Sequence, residues 1–424
     1  MNVMKVDNCQ FSSMQFIQSV FAGYYREHGE NLPMPNWMQK REFAFLLPEK
    51  HAMVRHQGFN SQAEFAVFLE SIIPSDIYYS CAYYSDPRAH MDKKGWLGAD
   101  LVFDIDADHI PTKCSKIHDE WTCGSCGFVG KGIVPDKCPA CNSEKLDLKS
   151  WPCEICLESA KAETIKLFDF LLRDFGFSDG EIHVFFSGHR GYHVHVESKS
   201  VQTLGTIGRK EIVDYVLGLG FDVLSEGSVV KHNAKAGIIN RPSIHALGWR
   251  GRVAKGIQSF FLNTTVDDFR NLGLNKSTID ILAKNKDGIL KSWDTEGSWD
   301  TVRGVGLASW RRIVEFSKEL QRAKVDTVVT TDIHRLIRMS ETLHGKTGLR
   351  KTEFSKSRIE DFDPFKEAVA LQGGIAKIRV SNAPKFRLGD ETFGPYENQV
   401  VELPTAVAVF LICKDRAVFM EVLE

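Results

Sequence analysis

The sequence predicts an α+β protein: a compact mixed α/β core, an inserted metal-binding element and a separate helical subdomain. Three observations lead there. Short aromatic and β-branched runs lie towards both ends of the chain, as strands require. Seven of the ten cysteines crowd between Cys114 and Cys156. Residues 207–320 read as several helices joined by loops. The expected parts are a core of 1–110, 157–206 and 321–424, an insert of 111–156 and a helical subdomain of 207–320.

The overall balance fits a globular chain. Its 424 residues exceed a usual single domain, and 43% are hydrophobic. Lys plus Arg (53) nearly equals Asp plus Glu (55), which excludes a uniformly basic nucleic-acid coat but allows a local basic groove. No run of about 18 apolar residues occurs, and the polar start MNVMKVDNCQ lacks a signal-peptide core. A soluble, intracellular protein without membrane association is expected.

REFAFLL (41–47) and DIYYSCAYY (76–84) open the core as strands. LVFDIDADHI (101–110) follows with three carboxylates at alternate positions. Strand side chains alternate, so Asp104, Asp106 and Asp108 share one face and Phe103 and Ile105 the other. Clustered carboxylates repel unless a cation sits among them, and Mg²⁺ or Mn²⁺ favours oxygen ligands. A strand running into a solvated acidic loop would give the same pattern. A calcium loop is excluded, because His109 stands where such a loop needs Gly and Ser115 where it needs Glu. Two-metal nucleotidyl transfer places carboxylates around ions about 4 Å apart, and D-x-D supplies two of them.

The cysteine insert comes next. Such clustering in a large chain without an export signal points to metal rather than disulfides. Cys114, His118, Cys123, Cys126, Cys138, Cys141, Cys153 and Cys156 supply eight ligands, enough for two tetrahedral Zn²⁺ sites. CGSCG and CPACN form paired knuckles suited to a ribbon of Cys123, Cys126, Cys138 and Cys141, which leaves Cys114, His118, Cys153 and Cys156. His109 competes with His118. One zinc with spare thiols, or redox C-x-x-C pairs, are the alternatives. Cys9, Cys81 and Cys413 read as small buried hydrophobes.

Ile165, Phe168, Leu172 and Phe175 recur at helical spacing, with Gly176 and Gly180 at the helix end. Ile182–Phe186 reads as a strand that SGHRG turns into a second, Tyr192–Val196. His189 and Arg190 lie between glycines there, where Arg190 could fork onto phosphate and His193 donate to another oxygen. An ordinary hairpin is the bland alternative. His193 and His195 also form an H-x-H pair on one strand face, as in nucleases and relaxases. Between Lys231 and Lys255, six Lys or Arg residues and no acid could line a template groove or a solvated face.

KVDTVVTTDIHRLIR (324–338) supplies a third carboxylate. Asp326 among valines reads as a strand carboxylate, and Asp332 as the cap of a helix carrying Ile333, Leu336 and Ile337. Arg335, Arg338, His344, Lys346, Arg350 and Lys351 follow as a basic constellation suited to a triphosphate, or simply solvated. The tail from Ile378 reads as a few strands.

Together, REFAF, YYSCAYY, LVFDIDADH, CEICLESAK, SGHRGYHVHV, VDTVVTTDIHRLIR, ETLHGKTGL and FDPF resemble the catalytic small subunit of archaeal and eukaryotic DNA primases, the archaeal members most closely. The resemblance implies a primase catalytic core bearing a zinc element and a helical subdomain. It implies Asp104, Asp106 and Asp326 as the catalytic carboxylates holding two Mg²⁺ or Mn²⁺ ions. Nucleotide contacts are implied for Ser187, Arg190, His193, Arg338 and His344, with Arg55 in VRHQGFN as a further candidate. The implied activity is primer synthesis from NTPs, with dNTPs as an alternative substrate, on single-stranded DNA during replication. A heterodimeric large subunit with an iron–sulfur cluster and a cytoplasmic, nucleoid-associated place are implied too. The ribbon would be an addition within the family's own zinc knuckle. An H-x-H nuclease or relaxase, and a noncatalytic zinc-bearing nucleic-acid binder, are the competing classes.

Overall fold

The computed structural model describes residues 3–48, 52–114, 116–222, 240–293, 297–298 and 302–423, with side chains from residue 13 onwards. The chain forms two compact units: residues 1–164, 179–210 and 325–424, and residues 165–178 and 211–324.

Two four-stranded antiparallel sheets carry the first unit. One runs in the order Thr352–Phe354, Ile182–Phe186, Gly191–Val196, Leu101–Asp106. The other runs Leu336–Arg338, Asp76–Ser80, Phe43–Leu47, Ala52–Gln57. The acidic strand obeys its alternation as far as Asp106: Phe103 and Ile105 are fully buried, whereas Asp104 and Asp106 are half-buried. Asp108 does not share their face, because the strand ends at Asp106, whose side chain caps the 3-10 turn Ala107–His109. Its register sets Asp104 opposite His193 and Asp106 opposite Gly191. A Cβ at Gly191 would lie 2.2 Å from the Ile105 carbonyl oxygen, so only glycine lets the basic turn approach this closely.

Phe43 and Phe45 on the second sheet, with Phe59 and Phe65, form one aromatic cluster with all four rings buried. Burying each such ring stabilises the fold by about 1.5–3 kcal/mol. Arg41, fully buried, reaches from this sheet to Asp100 at 2.5 Å and to the Ser80 carbonyl. It thereby anchors the base of the acidic strand.

The insert builds a three-stranded ribbon with Glu120–Cys123 between Val129–Lys131 and Leu146–Lys149. The C-terminal segment pairs Ile375–Ala383 with Tyr396–Pro404 and Ala417–Leu423, with an apolar helix at Thr405–Cys413. Cys81 is buried and Cys413 partly so, while the Cys9 side chain lies outside the described residues.

The second unit is helical, with Gly248–Asn263, Val266–Asn271, Lys276–Lys284, Lys286–Ser292 and Leu307–Gln321. It takes in Ile165–Ser178 and extends to Lys324, segments that sequence reading assigned to the core. The reason is a buried arginine: Arg252 pairs with Asp169 and Asp174, each at 2.8 Å, and stacks over Phe170 at 3.6 Å. Arg241 is likewise buried and donates to Ser292. Two of the six expected groove cations are therefore structural, and Lys231 and Lys235 lie outside the described residues.

Candidate functional site: a carboxylate row facing buried cations

Asp104 and Asp106 line a pocket of about 190 Å³ together with Ser187, His189 and His193. Tyr78, Arg335, Arg338 and His344 close it from the other sheet and its following loop. Asp326 joins through the main chain, its N–H donating to the Asp104 carbonyl at 2.8 Å.

The sequence reading of the Asp326 segment is corrected in its elements. Asp326 is not on a strand. It caps a short helix, Thr327–Thr331, accepting from the N–H groups of Val328 at 2.8 Å and Val329 at 3.3 Å. Asp332 ends that helix rather than starting another, and Leu336–Arg338 is a strand. The helix-cap geometry outweighs the strand preference of the Val/Thr run, and Leu336 and Ile337, two of the three residues at helical spacing, instead pair with Ser80 and Tyr79.

Three carboxylates in one half-buried place push against ionisation. Burial, then Asp106 and Asp326, hold the Asp104 carboxyl up to about 7. Burial likewise raises Asp106. Such a set, with oxygen ligands only and its charges unbalanced at close range, suits a hard divalent cation.

The cations opposite are held by acids that the sequence reading missed. Arg338 contacts Asp76, which also accepts from the Gly345 N–H at 2.9 Å and so fixes the loop bearing His344. Asp76 precedes the aromatic run DIYYS, a buried acid at a strand start being its one sequence signal. His193 Nε2 lies 3.6 Å from Asp104, and burial, then Lys351 and Arg338, hold its pKa well below the usual imidazole value. His344 is depressed in the same way by burial, then Arg338. Ser187 Oγ accepts from the N–H groups of His189 and Gly191, each at 3.3 Å, which leaves its hydroxyl hydrogen free to donate. Arg335, expected within the basic constellation, and His189, from the basic turn, also line the pocket, and Tyr78 is the lining residue for which no site role was expected; His189 is held by Lys414 at 3.0 Å and Ser150 at 3.3 Å.

Arg190 and Arg55 depart from expectation. Arg190 is completely buried, donates to both oxygens of Asp119 at 2.7 Å and contacts Asp108, so its fork is occupied. Arg55 lies outside the pocket lining and pairs with the buried Glu42 at 3.1 Å. Among the described residues, neither the H-x-H pair nor the Asp104, Asp106 and Asp326 carboxylates bring three ligand atoms within 4.8 Å of one another. His195 is packed between Tyr79 and Phe185 and is 2% exposed.

The insert gathers two four-ligand groups: Cys114, His118, Cys153 and Cys156, and Cys123, Cys126, Cys138 and Cys141. His118, not His109, is the histidine in the first. Cys114 lies 3.5 Å from Cys156 and 3.9 Å from Cys153, and Cys123–Cys141 and Cys126–Cys138 lie at 3.6 and 3.7 Å. A tetrahedron of thiolates around zinc has edges of about 3.8 Å, so both groups fit such an ion and neither is a disulfide.

Comparison with known proteins agrees with this geometry. The family described as DNA primase small subunit matches residues 146–355. The DNA primase small subunit PriS of Methanothrix thermoacetophila is 34% identical over 417 residues, covering 94% of this chain and 97% of its own. Those of Nitrosopumilus maritimus and Archaeoglobus fulgidus are 30% and 32% identical, covering 96% and 95% of this chain and 98% and 97% of theirs.

Proposed function

Because the chain belongs to the DNA primase small subunit family, whose members are primer-synthesising nucleotidyltransferases of DNA replication, we propose that its chemistry is two-metal nucleotidyl transfer centred on Asp104, Asp106 and Asp326. The observation that carries this reading is the convergence of Asp104 and Asp106 with Arg338, His193, His344 and Ser187 around one pocket, beside which the Asp326 N–H is bonded to the Asp104 carbonyl. Two Mg²⁺ or Mn²⁺ ions bound there would lower the pKa of a primer 3′-hydroxyl and stabilise charge on the α-phosphate and departing pyrophosphate.

The chain's own residues do the positioning. Asp104 projects from a rigid strand and Asp326 from a helix start tied to that strand's main chain, so their separation is set before any nucleotide arrives. Arg338 presents fixed positive charge to the triphosphate, its fork oriented by Asp76 and Tyr78. Burial and the neighbouring cations favour the neutral imidazole at His193 and His344, and each can donate to a phosphate oxygen through one ring nitrogen. Ser187 adds a hydroxyl donor. Arg190 and Arg55 act behind this wall, supporting it rather than touching phosphate.

The template is single-stranded DNA, the substrates are NTPs, and the partner is a large subunit bearing an iron–sulfur cluster. Residues 111–156 are a zinc element holding two structural Zn²⁺ ions, since four protein ligands leave no position open. The helical unit is a separate subdomain. No helix among the described residues is long and apolar enough to cross a membrane, and we place the protein in the cytoplasm at the nucleoid.

The test is template-dependent pyrophosphate release by Asp104→Ala plus Asp106→Ala protein. Synthesis should fall to background while circular dichroism stays native. Retained synthesis would remove the reading. Covalent protein–DNA adducts, or template binding with no turnover by the unaltered chain, would favour the relaxase or the noncatalytic binder instead.

A further inference from the structure

One line of buried polar contacts runs from the insert to the acidic strand without entering the pocket. It starts at His118, whose Nε2 lies 3.4 Å from the sulfurs of both Cys114 and Cys156. The other ring nitrogen, Nδ1, is 2.8 Å from Asp119 Oδ1. That carboxylate, 1% exposed, also accepts from the Trp151 N–H at 2.8 Å and from Arg190 Nη1 at both oxygens. Arg190 in turn contacts Asp108, and its carbonyl accepts from the Ala107 N–H at 3.1 Å. Asp108 then donates its own N–H to Asp106 Oδ1 at 2.8 Å.

A buried guanidinium–carboxylate pair is a poor device for stability alone, because removing both charges from water offsets most of their attraction. Its geometric consequence is more specific. Arg190 contacts Asp108, which lies just past the acidic strand in the 3-10 turn Ala107–His109, and the Asp108 N–H fixes the orientation of Asp106. Arg190 can hold that position only while Asp119 is itself held, and Asp119 is held by the histidine of the inner ligand group. The outer group has no comparable setting: Cys126 and Cys141 are exposed.

We infer that Asp119 and Arg190 are positioning residues that couple the inner ligand group to the catalytic carboxylates, so that a metal at Cys114, His118, Cys153 and Cys156 sets the divalent-cation affinity of the Asp104–Asp106 row. A metal at His118 Nε2 fixes the ring with Nδ1–H donating to Asp119, as partners behind metal ligands usually do. The carboxylate stays ordered beneath Arg190, and Arg190 holds Asp108 where its N–H bonds Asp106 Oδ1. The inference rests on reading the carboxylate row as a divalent site.

The experiment uses the full chain, with tightly held zinc counted by elemental analysis and free Mn²⁺ followed by electron paramagnetic resonance without nucleotide. Asp104→Ala defines the carboxylate-dependent Mn²⁺ binding. Asp119→Asn, assayed with zinc content and circular dichroism unchanged, should lower that Mn²⁺ affinity about tenfold or more. The double variant with Arg190→Gln should fall no further than the single ones, since both act on one path. Cys153→Ser should lose one zinc and the Mn²⁺ affinity together, whereas Cys126→Ser should lose one zinc and keep Mn²⁺ affinity within about twofold. Wild-type Mn²⁺ affinity in Asp119→Asn, or equal effects of the two cysteine variants, would overturn the coupling. If Asp104→Ala removes no Mn²⁺ binding from the unaltered chain, it is the carboxylate site itself that is refuted.

Discussion

The two ligand groups of the insert use nearly the same donors and differ in what surrounds them. The outer group closes a short loop: two C-x-x-C knuckles set eleven residues apart on one ribbon. The inner group closes a longer one, from Cys114 to Cys156, and its histidine is backed by Asp119 and through it by Arg190. One group organises its own ribbon, and the other is built into the wall behind the active pocket. Donor chemistry alone therefore does not say what a metal site does; the next residue out decides it.

The largest expected contrast comes from removing one ligand at each place. A structural zinc can contribute about 10 kcal/mol of folding free energy where no preformed site exists without it. Cys153→Ser should therefore depress the melting temperature of the first unit as a whole, and Cys126→Ser should unfold only the ribbon, seen as proteolysis confined to residues between 120 and 149. A global Tm loss from Cys126→Ser would erase the contrast.

Next in size is the link itself. Arg190→Leu leaves the buried Asp119 without its cation and should cost about 3–5 kcal/mol, measured by urea unfolding. A loss under about 1 kcal/mol, the worth of an exposed pair, would mean that the guanidinium is not confined as the structure has it.

A change inside the ribbon sharpens the comparison from the other side. A Cβ at Gly130 would lie 2.1 Å from the Trp121 ring, so Gly130→Ala should strain the ribbon by about 1–3 kcal/mol. Trp121 fluorescence should report it, and primer synthesis should remain near wild type.

The smallest effect is a pH dependence of the carboxylate row. Burial and the neighbouring carboxylates raise the Asp104 pKa to about 7 without metal, so below that pH a cation must displace a proton to bind. Mn²⁺ affinity should fall as pH drops below about 7, by up to about tenfold per unit for one proton, or about 1.4 kcal/mol, and level off above it. Titration by electron paramagnetic resonance between pH 6 and 8 checks this, and a flat profile would mean that Asp104 is already ionised.

Much of this was legible in the residues themselves. Alternation in LVFDID placed two carboxylates on one strand face, because strand geometry is local. C-x-x-C spacing selected the outer four ligands, because each knuckle is a single turn. The aromatic runs marked the sheet strands, because their side chains suit a half-buried pleat. What lay between elements was not legible. Asp326 looked like a strand residue, since Val and Thr favour strands, and became a helix cap because its main chain docks on Asp104. Arg190 looked like a phosphate fork, since its glycine-flanked turn is open in sequence. Only the packing of the insert shows Asp119, 71 positions away, already holding Nη1 of that guanidinium. Asp76 and Lys414 act on the site from separations of hundreds of residues. The sequence by itself determined which groups could bind metal and phosphate, because donor type and short-range spacing are properties of the local chain. The tertiary structure decided which of them face the pocket and which are spent holding it, because burial and ion pairing depend on partners that local order does not specify.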